Sequence, residues 1–327
     1  MKINEIIYNI TNIYNKYDFD DINIDIIYNN DFLINNYISI INNSHFSNDP
    51  ILIKKIKKCK FLYNIYLNKS TINFYVYSCY KLNNVEISKL FKLYKRLMIL
   101  YIYYNLDKTI NIHLSFWNKS RIFPKKKEFF KPIHINGGFT NPNGNNIYIF
   151  RKDEYIKVTL HEFIHHIGIL HNSINDINDI NYNKLKKNFN IDNNSFFEPV
   201  ESIIEFWAHI YNLIFISIEY SIPFQLLHNK ELSFTLFQFK KILNKYYFIN
   251  KWYEQTNIFC YIIIKLILLI NLKKFLKFNP PYDQNKFVDF IINNYNKYNY
   301  LDLEKKNNNN FSFKSNKSMD MMLFSYF

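Results

Sequence analysis

The chain has 327 residues, 41 Lys and Arg against 27 Asp and Glu, three Cys, and 48% apolar residues. That length buries a core without help from disulfides or metals and allows two to three structural units, while 32 Phe and 28 Tyr exclude a largely disordered coil. Cys59, Cys79 and Cys260 are odd in number and widely spaced, which argues against both a secreted disulfide scaffold and a cysteine zinc ribbon.

In chain order, the stretch from Met1 to Tyr14 alternates polar and apolar residues and lacks the apolar run of a signal peptide. Apolar periodicity predicts helices over 50–68 and 86–105, inside an accessory region covering 1–110. Strand and turn signals fill 110–150. Ile110 to Phe116 alternates, and Ile133-His134-Ile135 leads into the turn Asn136-Gly137-Gly138. Asn141-Pro142-Asn143-Gly144 then precedes a short strand, Ile147 to Phe150. A helix is expected to open near Lys152-Asp153-Glu154, where acids suit the positive end of the dipole. Its apolar residues Ile156, Leu160, Phe163, Ile164 and Ile167 keep helical spacing, and Gly168 is a natural stop.

An Asn- and Asp-rich loop is expected over 172–195, a strong amphipathic helix from Pro199 to Glu219, and further helices at 231–247, 255–275 and 284–298. The most apolar stretch, Ile258 to Leu272, carries Lys265 in its middle and is too short and interrupted to span a bilayer. Asn307 to Asn310 is a polar linker, and Met319 to Phe327 is an apolar tail expected to dock on the body. The fold class implied is α+β and helix-rich, in three parts: an accessory region (1–110), a core of small mixed sheet and helix (111–230), and a helical C-terminal region with its docked tail (231–327).

Asn, Ile, Lys, Tyr and Phe dominate while Ala, Gly, Pro and Arg are scarce, the usage an AT-rich genome imposes, so the net charge of +14 is discounted. Lys54-Lys55-Ile56-Lys57-Lys58 and Lys125-Lys126-Lys127 could offer an anion-binding surface, but solvated lysine faces explain them more simply, and nucleic acid is not an expected partner. Residues that the bias disfavours are informative where they persist. All four glycines lie between Gly137 and Gly168, and the sole alanine is Ala208.

That stretch holds the chemistry. His161-Glu162-Phe163-Ile164-His165 is HExxH on a predicted helix. Residues four apart share a helix face, so both imidazoles can take one Zn²⁺ while Glu162 stands beside the open position as general base. Two candidates compete for the third ligand. His161, His165, Gly168 and His171 together fit HExxHxxGxxH, the metzincin pattern, yet no Met between Met98 and Met319 is placed to supply that family's methionine turn. Glu201 and Glu205, four apart, instead match the gluzincin arrangement, the first ligating zinc and the second orienting a ligand histidine. Ala208 lies one turn further on the same face, where a small residue lets two helices approach.

His166 is expected to be a loop contact or partly exposed. His209 and His228 are candidates for stabilising an oxyanion, with an ordinary core or surface role the simpler reading. Arg151 could bind a substrate carboxylate or pair with a nearby acid. Ile149 to Glu154, Lys157-Val158 with the HExxH, Glu201 to Ala208, Phe234 to Leu243, Glu254 to Asn257 and Ser318 to Met321 together resemble uncharacterised zincin-like proteins of large DNA viruses, from about 145 to the C-terminus. The resemblance implies a zincin-like core and one Zn²⁺, and favours Glu201 over His171, since a His three residues after the helix-ending Gly is unusual there.

The expected function is a zinc metallopeptidase acting on a peptide or protein substrate, cytoplasmic or in a virion, and not secreted. In zincins the strand before the active helix lies at a sheet edge and receives an extended peptide; here that strand is Ile147 to Phe150 or the segment Gly137-Gly138-Phe139. A catalytically inactive zinc-bearing scaffold and a basic nucleic-acid or membrane interaction protein are the alternatives from other classes.

Overall fold

The structure, a computed structural model, describes residues 2–17, 19, 21–28, 31–44, 50–67, 71–116, 120–125, 128–140, 144–167, 178–246, 251–278, 282–297 and 319–324. The elements run α1 (Ile3–Lys16), β1 (Ile22–Tyr28), α2 (Asp31–Asn43), α3 (Pro50–Ile56), β2 (Phe61–Leu67), β3 (Ile72–Ser78), α4 (Asn84–Tyr103) and β4 (Ile110–Ser115). After these come α5 (Pro132–Ile135), β5 (Gly138–Thr140), β6 (Asn146–Ile149), α6 (Tyr155–Ile167), α7 (Asp179–Asn188), α8 (Val200–Glu219) and α9 (Phe224–Tyr246). A π-helical turn (Phe259–Ile264), α10 (Lys265–Ile270), α11 (Leu272–Phe275) and α12 (Gln284–Lys297) complete the order. The fold is α+β and helix-rich, with one mixed sheet of six strands. Among the described residues no helix is long and apolar enough to cross a membrane.

The chain divides into two compact units: a sheet unit of residues 4–120 and 136–167 (with 325–327), and a helical unit of 121–135 and 168–324 (with Met1–Ile3). Strands from the first 110 residues share the sheet with β4, β5 and β6.

In the sheet unit the strand order is β1-β2-β3-β4-β6-β5. β3, β4 and β6 are parallel, α4 making the crossover between β3 and β4, while β1, β2 and β5 pair antiparallel with their neighbours. Period-2 alternation sorts the two faces. Ile72, Phe74, Val76, Ile110, Ile112, Leu114, Ile147 and Ile149 are fully buried on one of them, each contributing about 1.5–3 kcal/mol. α6 packs on β5 and β6, and α4 packs on α6. α4 begins in a capping box, Asn83 Oδ1 accepting from Glu86 N at 2.9 Å while Asn83 N donates to the Glu86 carboxylate.

The segment 50–68, expected as one helix, is α3 followed by β2. Four residues, Lys57 to Lys60, separate them, and β2 pairs antiparallel with β3, a long-range contact that apolar periodicity does not register. Ile133 to Ile135, expected as strand, is the short helix α5, and the expected loop over 172–195 contains α7, capped by Asn178.

The other sheet face is polar and aromatic. Asn73, Asn111 and Asn146 make an amide ladder across β3, β4 and β6, with N···O distances of 2.9 and 3.2 Å. Beside it the rings of Tyr75, His113, Tyr148 and Phe139 stack across four strands at 5.0–5.1 Å, close to the strand spacing. Tyr37 of α2 stacks on Tyr77 at 4.6 Å. His113 Nδ1 meets the Tyr77 hydroxyl at 3.1 Å and Nε2 meets Asn146 Oδ1 at 3.4 Å, so the neutral ring is satisfied where it lies.

Burial lowers the His113 pKa from 6.5 to about 4. Between those values the unfolded chain holds the proton and the folded chain does not. The contribution of this neutral ring to stability is therefore complete above pH 6.5 and is lost as pH falls to about 4, a difference of roughly 3 kcal/mol. His113→Gln is expected to lose less stability than the parent between pH 7 and 4.5 in urea unfolding; equal losses would contradict this.

β5 ends the sheet. A Cβ on Gly138 would stand 2.8 Å from the Tyr148 carbonyl oxygen and 2.7 Å from Ile149 Cδ1. The backbones are too close for any side chain, so Gly138→Ala is expected to cost about 1–3 kcal/mol in urea unfolding.

In the helical unit α8 is buried without a break from Ser202 to Ile216, the signature of a central helix. It packs on α9, the π turn and α10. Glu254 accepts from the Ile258 and Phe259 amides at 2.8 and 2.9 Å at the start of the π turn, and burial raises its pKa well above the usual carboxylate range.

Residues Met319 to Phe324 are bonded to the helices of this unit. Gln238 Nε2 donates to Asp320 O (2.8 Å), Lys265 Nζ to Met321 O (3.2 Å), and Leu323 N to Glu231 Oε2 (3.0 Å). Asn212 Nδ2 donates to Phe324 O at 3.2 Å.

Candidate metal centre

In the sheet unit, the residues ahead of α6 are held firmly. Arg151 is buried, its guanidinium donating to Asn136 O at 2.7 Å and Ser120 O at 3.3 Å. Lys152 Nζ bonds Glu86 at the start of α4 and the Tyr80 hydroxyl at 2.6 Å. Glu154 is buried with φ of 58°, in the left-handed region, where the chain turns into the helix. At the other end Lys108 Nζ donates to the His166 carbonyl at 2.8 Å, placing a cation where helix carbonyls lack partners.

Between these anchors α6 carries Ile156, Leu160, Phe163 and Ile164 into the core. The HExxH residues are thereby fixed on a rigid, buried helix. His161 and Glu162 are buried and His165 is half-buried, and the two imidazole centroids lie 4.9 Å apart at 62°. β5 lies beside this helix and is the edge strand, whereas β6, the other strand proposed for that position, is interior. His166, expected to be partly exposed, is 1% exposed.

In the helical unit, Glu201 lies in the first turn of α8 and is half-buried, while Glu205 and Ala208 are fully buried. Glu205 joins a buried cluster that sequence reasoning missed. His209 Nε2 is 3.2 Å from Glu205 Oε1, and its Nδ1 is 3.4 Å from Glu231 Oε1. Lys265 Nζ is 3.3 Å from His209 Nε2 and 3.9 Å from Glu205. The signal for it was Lys265 in the middle of an apolar stretch, since a lysine there requires a carboxylate partner. His209 is thus part of a core ion cluster, and His228 is buried, with desolvation lowering its pKa. Gly168 and His171 lie outside the described residues.

The donor set suits zinc on chemical grounds. Two imidazoles one helical turn apart are borderline ligands of the kind catalytic zinc takes, and carboxylates are among the ligands that complete such sites. The chain matches no protein-family model, no curated protein and no solved structure.

Proposed function

We propose that this protein is a zinc-dependent peptidase with a zincin-like core, in which His161, His165 and Glu201 hold the metal and Glu162 is the general base. The observation that carries the reading is α6 itself: a buried helix presenting two imidazoles one turn apart, with a carboxylate between them in sequence and an edge strand alongside. Glu201, half-buried in the first turn of α8, would supply the third donor, a carboxylate of the kind catalytic zinc accepts. The resemblance of Ile149 to Glu154 and of Glu201 to Ala208 to zincin-like viral proteins supports the same assignment.

Zinc bound there would supply Lewis acidity, lowering the pKa of a water molecule and polarising a substrate carbonyl. The chain's own residues would do the rest. The carboxylate of Glu162 takes a proton from the attacking water and passes it to the leaving amine nitrogen. The outer edge of β5, with Gly138 to Thr140, receives an extended substrate backbone by strand addition, aligning the scissile bond beside α6. Burial of His161 and Glu162 fixes their rotamers before substrate arrives.

The test is zinc content per chain, by elemental mass spectrometry on protein purified without a metal-binding tag. About one equivalent is expected, falling strongly in His161→Ala, His165→Ala and Glu201→Ala and persisting in His171→Ala. A chain that takes up no zinc even after incubation with the ion overturns the reading.

A further inference from the structure

Cys59 and Cys79 are far apart in sequence, yet the antiparallel pairing of β2 with β3 brings their sulfurs to 3.4 Å. Lys60 N donates to Ser78 O at 3.1 Å, so the pairing continues to the point where both side chains stand. Both thiols also approach one acceptor, the Lys55 carbonyl, at 3.9 and 3.5 Å. The two differ in access: Cys59 is buried in the cluster that α2 and α3 form over the sheet, and Cys79 is exposed. The lysine run of the sequence surrounds them, with Lys54, Lys57, Lys58, Lys60 and Lys81 all exposed. No part of the peptidase reading uses this end of the sheet.

We propose that Cys59 and Cys79 form a redox-active pair that closes to a disulfide by exchange with an anionic low-molecular-weight disulfide, oxidised glutathione being the chemical type. The exposed Cys79 thiolate attacks one sulfur of glutathione disulfide, that S–S bond breaks, and one glutathione thiolate leaves with the electron pair. Cys59 then yields its proton to water, and its thiolate attacks Cys79 Sγ, expelling the second glutathione thiolate. Two protein thiols are oxidised by two electrons, and one glutathione disulfide is reduced to two glutathione molecules. The order follows from access, and burial together with the neighbouring thiol also raises the pKa of Cys59, leaving Cys79 as the entry point. The lysines steer the carboxylates of the oxidant to Cys79. Closure staples the end of α3 to the end of β3, fixing the cover that Leu52, Ile56 and Cys59 make over the aromatic sheet face. Cys260 is an internal control: burial first, then Glu254 and Glu201, pushes its thiol well up.

The experiment equilibrates the full chain in buffers of increasing oxidised-to-reduced glutathione ratio, quenches with an alkylating reagent and maps the peptides by mass spectrometry. The expected result is a Cys59–Cys79 cross-linked peptide that grows with the ratio and disappears on reduction, with Cys260 remaining a thiol. In Cys59→Ser a glutathione adduct should accumulate on Cys79. In the double variant Lys57→Gln, Lys58→Gln, the reaction with oxidised glutathione should slow about 3- to 10-fold, with no change for uncharged hydroxyethyl disulfide. No cross-linked peptide at the most oxidising ratio, or a stable adduct on Cys79 beside an unreacted Cys59 in the parent chain, overturns the proposal. Equal slowing with both oxidants overturns the steering.

Discussion

Glu162→Gln is expected to lower peptide hydrolysis by about 10²- to 10⁴-fold, the usual worth of a positioned general base, while zinc content stays at the parent level. The substitution keeps the shape of a buried side chain, so the helix and its packing survive. It removes only the capacity to accept a proton, because an amide is not basic at neutral pH. His165→Ala should behave differently, losing metal and activity together. Measuring both quantities in both variants separates a base from a ligand. An active parent whose rate is unchanged by Glu162→Gln would remove Glu162 from the mechanism. Parallel loss of zinc in that variant would make it a ligand instead.

The second large effect lies in the helical unit. Lys265→Met should lower its stability by about 3–5 kcal/mol, because it removes the cation from a fully buried cluster that holds the carboxylates of Glu205 and Glu231. It also removes the donor to Met321 O, one of the bonds that hold the tail. A urea unfolding midpoint well below that of the parent is the expected result. Pairing Lys265→Met with Glu205→Gln should recover part of the loss, since the second substitution removes the carboxylate nearest the lost cation. Strict additivity of the two would mean that Lys265 and Glu205 do not interact.

The candidate site was legible in the sequence where spacing alone decides geometry. His161, Glu162 and His165 sit on one helix because apolar residues at Ile156, Leu160, Phe163 and Ile164 give it a single way to face the sheet. The long helices at 84–103 and 200–219 were readable on the same grounds. The first 110 residues were not. Their strands carry Asn and Tyr among the Ile, and that composition pervades the chain, so period-2 alternation did not rise above the background. Pairing across the sheet was also invisible, and with it the meeting of Cys59 and Cys79, which depends on the register Phe61↔Ser78. The cluster around Lys265 joins α8, α9 and α10, and no local pattern states which carboxylates a buried lysine will find.

The amide ladder of Asn73, Asn111 and Asn146 has a consequence for how the sheet is assembled as the chain is synthesised. Until β6 emerges, β4 is a bare edge carrying Ile110, Ile112 and Leu114, which invites pairing with other molecules. A slip of one residue would turn those side chains to the wrong face. A slip of two would keep the faces but strand the side-chain amides of Asn111 and Asn146 without each other. Asn111 therefore acts on the nascent chain as a gatekeeper, polar enough to discourage foreign strands and selective for a single register when β6 arrives.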